Sequence, residues 1–387
     1  MESYDFLMLI AIILLSTKVF GILSEKVHMP QVVGALLVGI ILGPSFLNIL
    51  KETDFLVKTA EIGVILLMYL AGLDTDIDEL KSTGKASSLI ALIGCLIPLV
   101  FGSLTYNLFF RNSLFLESLF IGVILTATSV SITVETLREM GKLKGSVGTT
   151  ILGSAIIDDI LGIILLTLIT SLGDSDVSII FVLFKILLFF VFVLISGFIV
   201  HKIFMIMERR YGKRRRIVIY GIAFCLFMSY CAEEIFGVAD ITGAYFAGLI
   251  LCNVYDVKSY IASKVNVISY AFFTPIFFAS IGLKTVLTGM TSNLILFSLL
   301  LLVVAILTKV IGCGLGAFLC GFNKNDALSI GIGMVSRGEV ALIVAQKGSQ
   351  VGLIDSSMFP AIVFVVIVTT LITPILLKIV MGRRINA

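Results

Sequence analysis

Two aspartates stand side by side in an apolar run, Ser154-Ala-Ile-Ile-Asp-Asp-Ile-Leu-Gly162. An ionisable side chain at mid-bilayer costs about 2.5–3.5 kcal/mol on insertion scales, so Asp158 and Asp159 demand a use. Neighbours on a helix leave it about 100° apart, which lets the two carboxylates face different partners. A lysine in a second apolar run, Ala305-Ile-Leu-Thr-Lys-Val-Ile311, is the natural counter-charge. Buried beside a carboxylate, Lys309 keeps its proton; once that carboxylate is neutralised or takes a cation, burial favours giving the proton up. Such a set pairs one aspartate with the lysine and leaves the other to bind a cation. A salt bridge that only pins two helices accounts for one aspartate and not for the second.

A hydroxyl-rich run, Thr126-Ala-Thr-Ser-Val-Ser-Ile-Thr133, lies inside another apolar stretch. Such residues satisfy the backbone groups that a helix frees where it unwinds. Its counterpart later in the chain is Val335-Ser-Arg-Gly-Glu339, polar, charged and interrupted by Gly338. Paired interruptions at matching positions of two halves point to a transporter's ion site. Arg337 and Glu339 read as charges that neutralise helix dipoles and each other rather than as substrate ligands. Other features have plainer readings. Gly312-x-Gly314-x-Gly316 lies in an apolar run and follows no strand, so it is a small-residue packing stripe and not a dinucleotide loop. His28 and His201 read as bystanders, and Asp74, Asp76, Asp78 and Glu79 as a solvated acidic loop; Glu61 is a candidate for lining an outward path. The six cysteines show neither metal-ligand nor disulfide spacing and read as small buried hydrophobes.

These residues need a membrane to be placed in. Of the 387 residues 59% are hydrophobic and 14% charged, with mean hydropathy +1.14, against about 25% charged in a soluble domain. No soluble fold of this length could hide so much apolar surface. The net charge of +3 is too small to argue for nucleic acid. Runs long enough to cross about 30 Å of hydrocarbon fall at about 5–24, 30–48, 55–73, 86–109, 114–137, 147–172, 178–204, 217–236, 239–254, 265–283, 293–319, 326–346 and 358–379. The first follows no basic region and reads as a retained span rather than a cleaved signal. Thirteen spans put the termini on opposite sides. With the C-terminus inside, nineteen of the 28 Lys and Arg fall inside and five (Lys51, Lys58, Arg111, Lys284, Lys347) outside, which favours an external N-terminus and a cytoplasmic C-terminus. The acidic residues Asp174 and Asp176 then fall outside.

The chain also repeats itself. Gly34-Ala-Leu-Leu-Val-Gly-Ile-Ile-Leu42 matches Gly243-Ala-Tyr-Phe-Ala-Gly-Leu-Ile-Leu251 at an offset of 209, and Ile121–Leu125 matches Ile330–Met334 at the same offset; Met68–Leu73 matches Phe278–Leu283 at 210. The offset corresponds to seven spans, an odd number, so equivalent helices run in opposite directions. The expected architecture is all-α: repeat one at about 5–172, a linker helix at about 178–204 and repeat two at about 217–379, an inverted 6+1+6 arrangement of the secondary-transporter kind. It forms a single transmembrane domain over 1–387 with no soluble regulatory domain.

The adjacent aspartates, the Thr126-Ala-Thr-Ser129 run before them and Lys309 together resemble the cation/proton antiporter-2 family, in particular its electrogenic NapA-type Na+/H+ antiporters; in length the chain is also similar to the spore-germination GerN-type members. The resemblance covers essentially the full chain. It implies an NhaA-like fold of 13 helices with two interrupted crossing helices, assembled as a homodimer in the plasma membrane of a bacterium. It implies that Asp159 binds the cation or protons and that Asp158 pairs with Lys309. Thr126, Thr128 and Ser129 would lie at the unwound crossing, and the transported Na+ would sit on Asp159 with Asp158 and Thr128 beside it. Electroneutral relatives carry Asn in place of the first aspartate, so Asp158 implies electrogenic exchange. The only other partners expected are the monovalent cations and protons transported and the lipid around them, with no cofactor and no enzymatic activity.

Two other classes can be weighed on the residues. An intramembrane aspartyl protease needs two aspartates facing each other from separate helices, and neighbours on one helix have the wrong geometry. A sodium-coupled symporter for an organic solute would use the same scaffold, yet the runs offer carboxylates and a lysine with no solute-recognition cluster.

Overall fold

The computed structural model describes residues 4–26, 29–44, 46–111, 114–173, 179–211, 215–283, 291–350 and 353–382, and every long element among them is helical. In chain order these are α1 (Asp5–Lys26), α2 (Gln31–Leu42), α3 (Asp54–Asp74), α4 (Ile77–Phe109), α5 (Phe115–Thr126), α6 (Val130–Glu139), α7 (Ser146–Gly173), α8 (Ile179–Tyr211), α9 (Arg215–Tyr230), α10 (Asp240–Leu251), α11 (Tyr255–Ile268), α12 (Thr274–Leu283), α13 (Ser292–Leu319), α14 (Lys324–Gly333), α15 (Glu339–Gln350) and α16 (Phe359–Gly382). Short π turns, Cys231–Ile235 and Ser269–Phe273, follow α9 and join α11 to α12.

In hydrocarbon every backbone polar group must be paired within the chain, which favours helices. Among the described residues ten helical stretches are long and apolar enough to span a membrane, and α2 and α10 are shorter apolar helices. The outer surface is correspondingly apolar: on α8, Ile180, Leu194 and Phe198 are each at least 74% exposed, as a lipid-facing helix allows.

The helices depart from the expected spans in several places. α4 begins at Ile77 rather than 86, which takes Asp78 and Glu79 of the expected acidic loop into a helix, and α8 runs on to Tyr211 rather than 204. The second span, expected over 30–48, stops at Leu42. Pro44 drives Gly43 into an extended conformation (φ −77°, ψ −176°), and the backbone N–H groups of Leu47, Ile49 and Leu50 turn back onto the carbonyls of Ile41 and Leu42. The ninth ends at Leu251 rather than 254. The tenth begins earlier, so that Lys258 and Lys264, expected in a loop, lie in a helix running through the second π turn to Leu283. His28, Asp174, Asp176, Lys213 and Arg214 lie outside the described residues.

The chain divides into two compact units. One comprises Met1–Glu52, Ser82–Ser178 and Phe278–Ala387; the other comprises Thr53–Lys81 and Ile179–Phe277. In the second unit α3 packs on α10 through a reciprocal pair of glycines. A Cβ at Gly72 would stand 2.1 Å from the Tyr245 carbonyl oxygen, and one at Gly248 2.2 Å from that of Tyr69. The Thr75 and Tyr245 hydroxyls bond alongside at 3.2 Å. Backbones approach this closely only where no side chain intervenes. The first unit has the same device between α2 and α12, where a Cβ at Gly39 would meet the Ala279 carbonyl at 2.0 Å and one at Gly282 that of Leu36 at 2.5 Å. In the first unit, too, Gly312 and Gly316 of α13 lie against the Ile93 and Ile90 backbone of α4; the glycine stripe is a packing surface.

Candidate ion site at the crossing of two interrupted helices

The two polar runs are where helices break. α5 ends at Thr126 and α6 begins at Val130; α14 ends at Gly333 and α15 begins at Glu339. The non-helical links meet inside the first unit and satisfy one another's backbone. Ser129 N–H donates to the Ser336 carbonyl (2.8 Å), and the Ser336 hydroxyl donates to the Ser129 carbonyl (2.7 Å). The Thr133 hydroxyl donates to the Gly333 carbonyl (2.7 Å) and lies 3.1 Å from the Ser336 hydroxyl. From α16, the Thr370 hydroxyl donates to the Arg337 carbonyl, and Thr369 accepts from Arg337 N–H (3.3 Å). Gly338 is required at the contact, because a Cβ there would stand 2.6 Å from Ser129 Oγ.

Beside this crossing α7 carries Asp158, 2% exposed, and Asp159, 8% exposed. Lys309 Nζ, on α13, donates to both Asp158 oxygens, at 3.1 Å to Oδ1 and 2.9 Å to Oδ2. Thr128 Oγ1, on the link after α5, donates to Oδ2 at 2.7 Å. Lys309 is fully buried and the pair is an ion pair with no exposed atom of consequence. Gly94 of α4 makes room for Cys313, one turn after Lys309 on α13: a Cβ there would stand 2.2 Å from Cys313 Sγ. A second buried cation, Arg337, donates from its guanidinium to the carbonyls of Met334 and Ala305, both at 3.4 Å. It thus places positive charge at the C-terminal end of α14, where the helix dipole is negative.

The expected residues therefore separate into groups. Asp158, Lys309 and Thr128 come together directly, and Asp159 is the next residue on the same helix. Ser129 contributes its backbone to the crossing while its hydroxyl meets Ser131 at 3.2 Å. Thr126 does not reach the carboxylates, because its hydroxyl bonds back to the Val123 carbonyl (2.7 Å) in its own helix. Glu339 opens α15. Glu61 pairs with Lys58 at 3.1 Å in the other unit, and His201 bonds the Ile250 carbonyl through Nδ1. Of the cysteines, five are buried and Cys320, at the end of α13, is exposed. One acid that the sequence reading passed over, Glu135 on α6, is 4% exposed. Its signal was its position inside an apolar span, four residues before Glu139.

Paired ionisable groups buried at the crossing of two broken helices are a feature of membrane transporters built on interrupted helices. The chain belongs to the sodium/hydrogen exchanger family, whose transmembrane model matches residues 10–382. It is 42% identical over 386 residues to the Na(+)/H(+)-K(+) antiporter GerN of Bacillus cereus, covering 99% of this chain and 98% of that one. A Na(+)/H(+) antiporter of Enterococcus hirae is 38% identical over 379 residues, 97% of each chain. The fold is that of a sodium proton antiporter of Methanocaldococcus jannaschii, MjNhaP1, with TM-score 0.75 over 99% of this chain and 98% of that one at 19% identity.

Proposed function

We propose that this protein is a secondary active antiporter that exchanges Na+ or K+ for protons across a bacterial plasma membrane by alternating access, moving net charge in each cycle. The observation that carries the reading is the pair of adjacent buried carboxylates at the crossing, one of them held by Lys309 and Thr128, in a chain of the exchanger family.

Asp159 is the group that takes either the cation or a proton. Asp158 and Thr128 supply further oxygens beside it, and the freed carbonyls of the links suit a hard monovalent cation. While Asp158 is charged it holds Lys309 protonated; a cation that takes over Asp158 weakens that hold, and a proton can leave from the lysine. Cation and proton thus compete for one set of oxygens. Exchange follows if the empty, charged site cannot cross the bilayer, since moving bare charge through hydrocarbon is costly. Arg337 supports the crossing by neutralising the end of α14, with Glu339 at the start of α15.

The wider architecture proposed is thirteen spans in an inverted 6+1+6 arrangement forming one transmembrane domain, assembled as a homodimer, with the N-terminus outside and the C-terminus in the cytoplasm. In support, α10, α14 and α15 begin 209 residues after α2, α5 and α6. The glycine contacts also exchange partners between repeats: Gly39 and Gly282 are the repeat equivalents of Gly248 and Gly72. The organic-solute alternative has no observation in its favour.

The test is proton flux in proteoliposomes carrying a pH gradient, with Na+, K+ or choline added in turn. Na+ or K+ should dissipate the gradient and choline should not. Asp159→Asn should abolish the flux while the protein still folds; normal exchange in that variant would remove the central assignment.

A further inference from the structure

Resting on the exchange reading, we propose that Glu135 is a second proton-binding carboxylate, a stop for protons between the exposed end of α6 and the Asp158–Asp159 site. Ser131, Glu135 and Glu139 stand four residues apart on α6, which puts them on one face of the helix. Thr128, whose hydroxyl donates to Asp158, lies three residues before Ser131. At the other end Glu139 is exposed, and its two oxygens accept the N–H groups of Gln31 (2.7 Å) and Val32 (3.2 Å) at the start of α2. Oxygen-bearing side chains therefore line the half-helix from its open end to the ion pair.

Glu135 differs from Glu139 in its surroundings. It is 4% exposed, and its Oε2 is buried without a hydrogen-bond partner among the described residues. The helices packed most extensively on α6 are α2, α7 and α16, and the end of α14 touches it through Thr133. Over their described lengths α2 carries no charged residue, α7 none before Asp158, and α16 only Lys378. Nearby on its own element and just beyond are Arg138, Glu139 and Lys142, whose Nζ is engaged by the Met381 carbonyl; Glu25 of α1 accepts from the Gln31 side chain. A bare carboxylate oxygen buried without a donor costs several kcal/mol, whereas a protonated acid avoids most of that cost. Glu139 has backbone donors on both oxygens, whereas Oε2 of Glu135 has none; the buried Glu135 is the acid set up to carry a proton. The step is a simple exchange: the Glu135 carboxyl gives its proton to water arriving from the open end of α6, becomes a carboxylate, and takes a proton back in the reverse step. The buried Ser131 hydroxyl stands between Glu135 and Thr128 along the chain, and water passing it would link the two sites.

The experiment uses the full chain in proteoliposomes and follows Na+-driven proton flux across the pH range for wild type, Glu135→Gln and Glu135→Asp. Glu135→Gln should still exchange, with the half-saturating Na+ concentration unchanged within about twofold. It should lose rate several-fold at the alkaline end, where protons are scarce, and little at the acid end; Glu135→Asp should restore the alkaline limb. Difference infrared spectra should show a protonated-carboxyl carbonyl band that Glu135→Gln lacks and Asp159→Asn keeps. A Glu135→Gln profile superimposable on wild type would overturn the proposal, as would an equal loss at every pH in step with lower thermal stability. If wild type moves no protons for any cation, the exchange reading has failed, and the infrared band alone then decides whether Glu135 holds a proton.

Discussion

At the scale of residues, the Asp158–Lys309 pair is a buried ion pair whose cost has to be met by geometry. Asp158 accepts from both Thr128 and Lys309, with Lys309 reaching each oxygen. Removing one partner leaves an uncompensated buried charge, which costs about 3–5 kcal/mol, whereas neutralising both is often nearly neutral. Lys309→Ala should therefore lower the thermal unfolding temperature in detergent substantially, and combining Asp158→Asn with Lys309→Gln should restore most of it. A Lys309→Ala protein that melts like wild type would mean that the pair does not hold the fold. This pair was legible in the sequence because a charge in an apolar run is conspicuous and Lys309 was the counter-charge in reach of no polar segment. Glu135 was not, because acids near the ends of spans are common and only the fold reveals which of them is buried.

The elements add a constraint that no single side chain carries. Two helices must stop, cross and restart while their freed backbone groups find partners, and at the crossing Ser129, Ser336, Thr133, Thr369 and Thr370 provide for several of them. Gly338 sets how close the two links lie. Gly338→Ala would drive a Cβ to 2.6 Å from Ser129 Oγ and 2.7 Å from Ser129 Cβ, pushing the first link away from its partner and shifting Thr128 from Asp158. The exchange rate should fall at least tenfold, about 1.4 kcal/mol in the barrier. Ser129→Gly added to Gly338→Ala should recover part of it, and Ser129→Ala, which keeps the Cβ, should not. Equal rates in both double variants would mean that the clash is not the cause. The two breaks could be read from sequence because hydroxyls and a glycine in mid-span have few other uses. The shortness of α2 could not. Phe46, Leu47, Ile49 and Leu50 extend the apolar window past Gly43 and Pro44, so hydropathy reports a crossing where the chain has already turned back.

For the whole molecule, the membrane potential acts on the net charge moved per cycle, about 2.3 kcal/mol per charge for each 100 mV. The proposed site has more titratable groups than a single cation needs. In the proposed cycle Asp159 binds one cation or proton, and the Asp158–Lys309 pair releases a further proton when a cation takes over Asp158. More protons than cations would then cross in opposite directions, so an inside-negative potential should accelerate proton entry coupled to Na+ exit, and collapsing that potential should slow it. Asp158→Asn removes the carboxylate that ties the second proton to cation binding. If that variant still folds, its exchange should become one-for-one and lose its response to voltage, while Asp159 keeps cation and proton in competition. Flux in proteoliposomes at clamped potentials reads this directly. Voltage-independent exchange in the wild type would show that the Asp158–Lys309 pair moves no proton, leaving it the structural role that its buried geometry also permits. A voltage response that survives in Asp158→Asn would instead assign the extra charge to a group outside the pair, and Glu135, one half-helix away, would be the first to test.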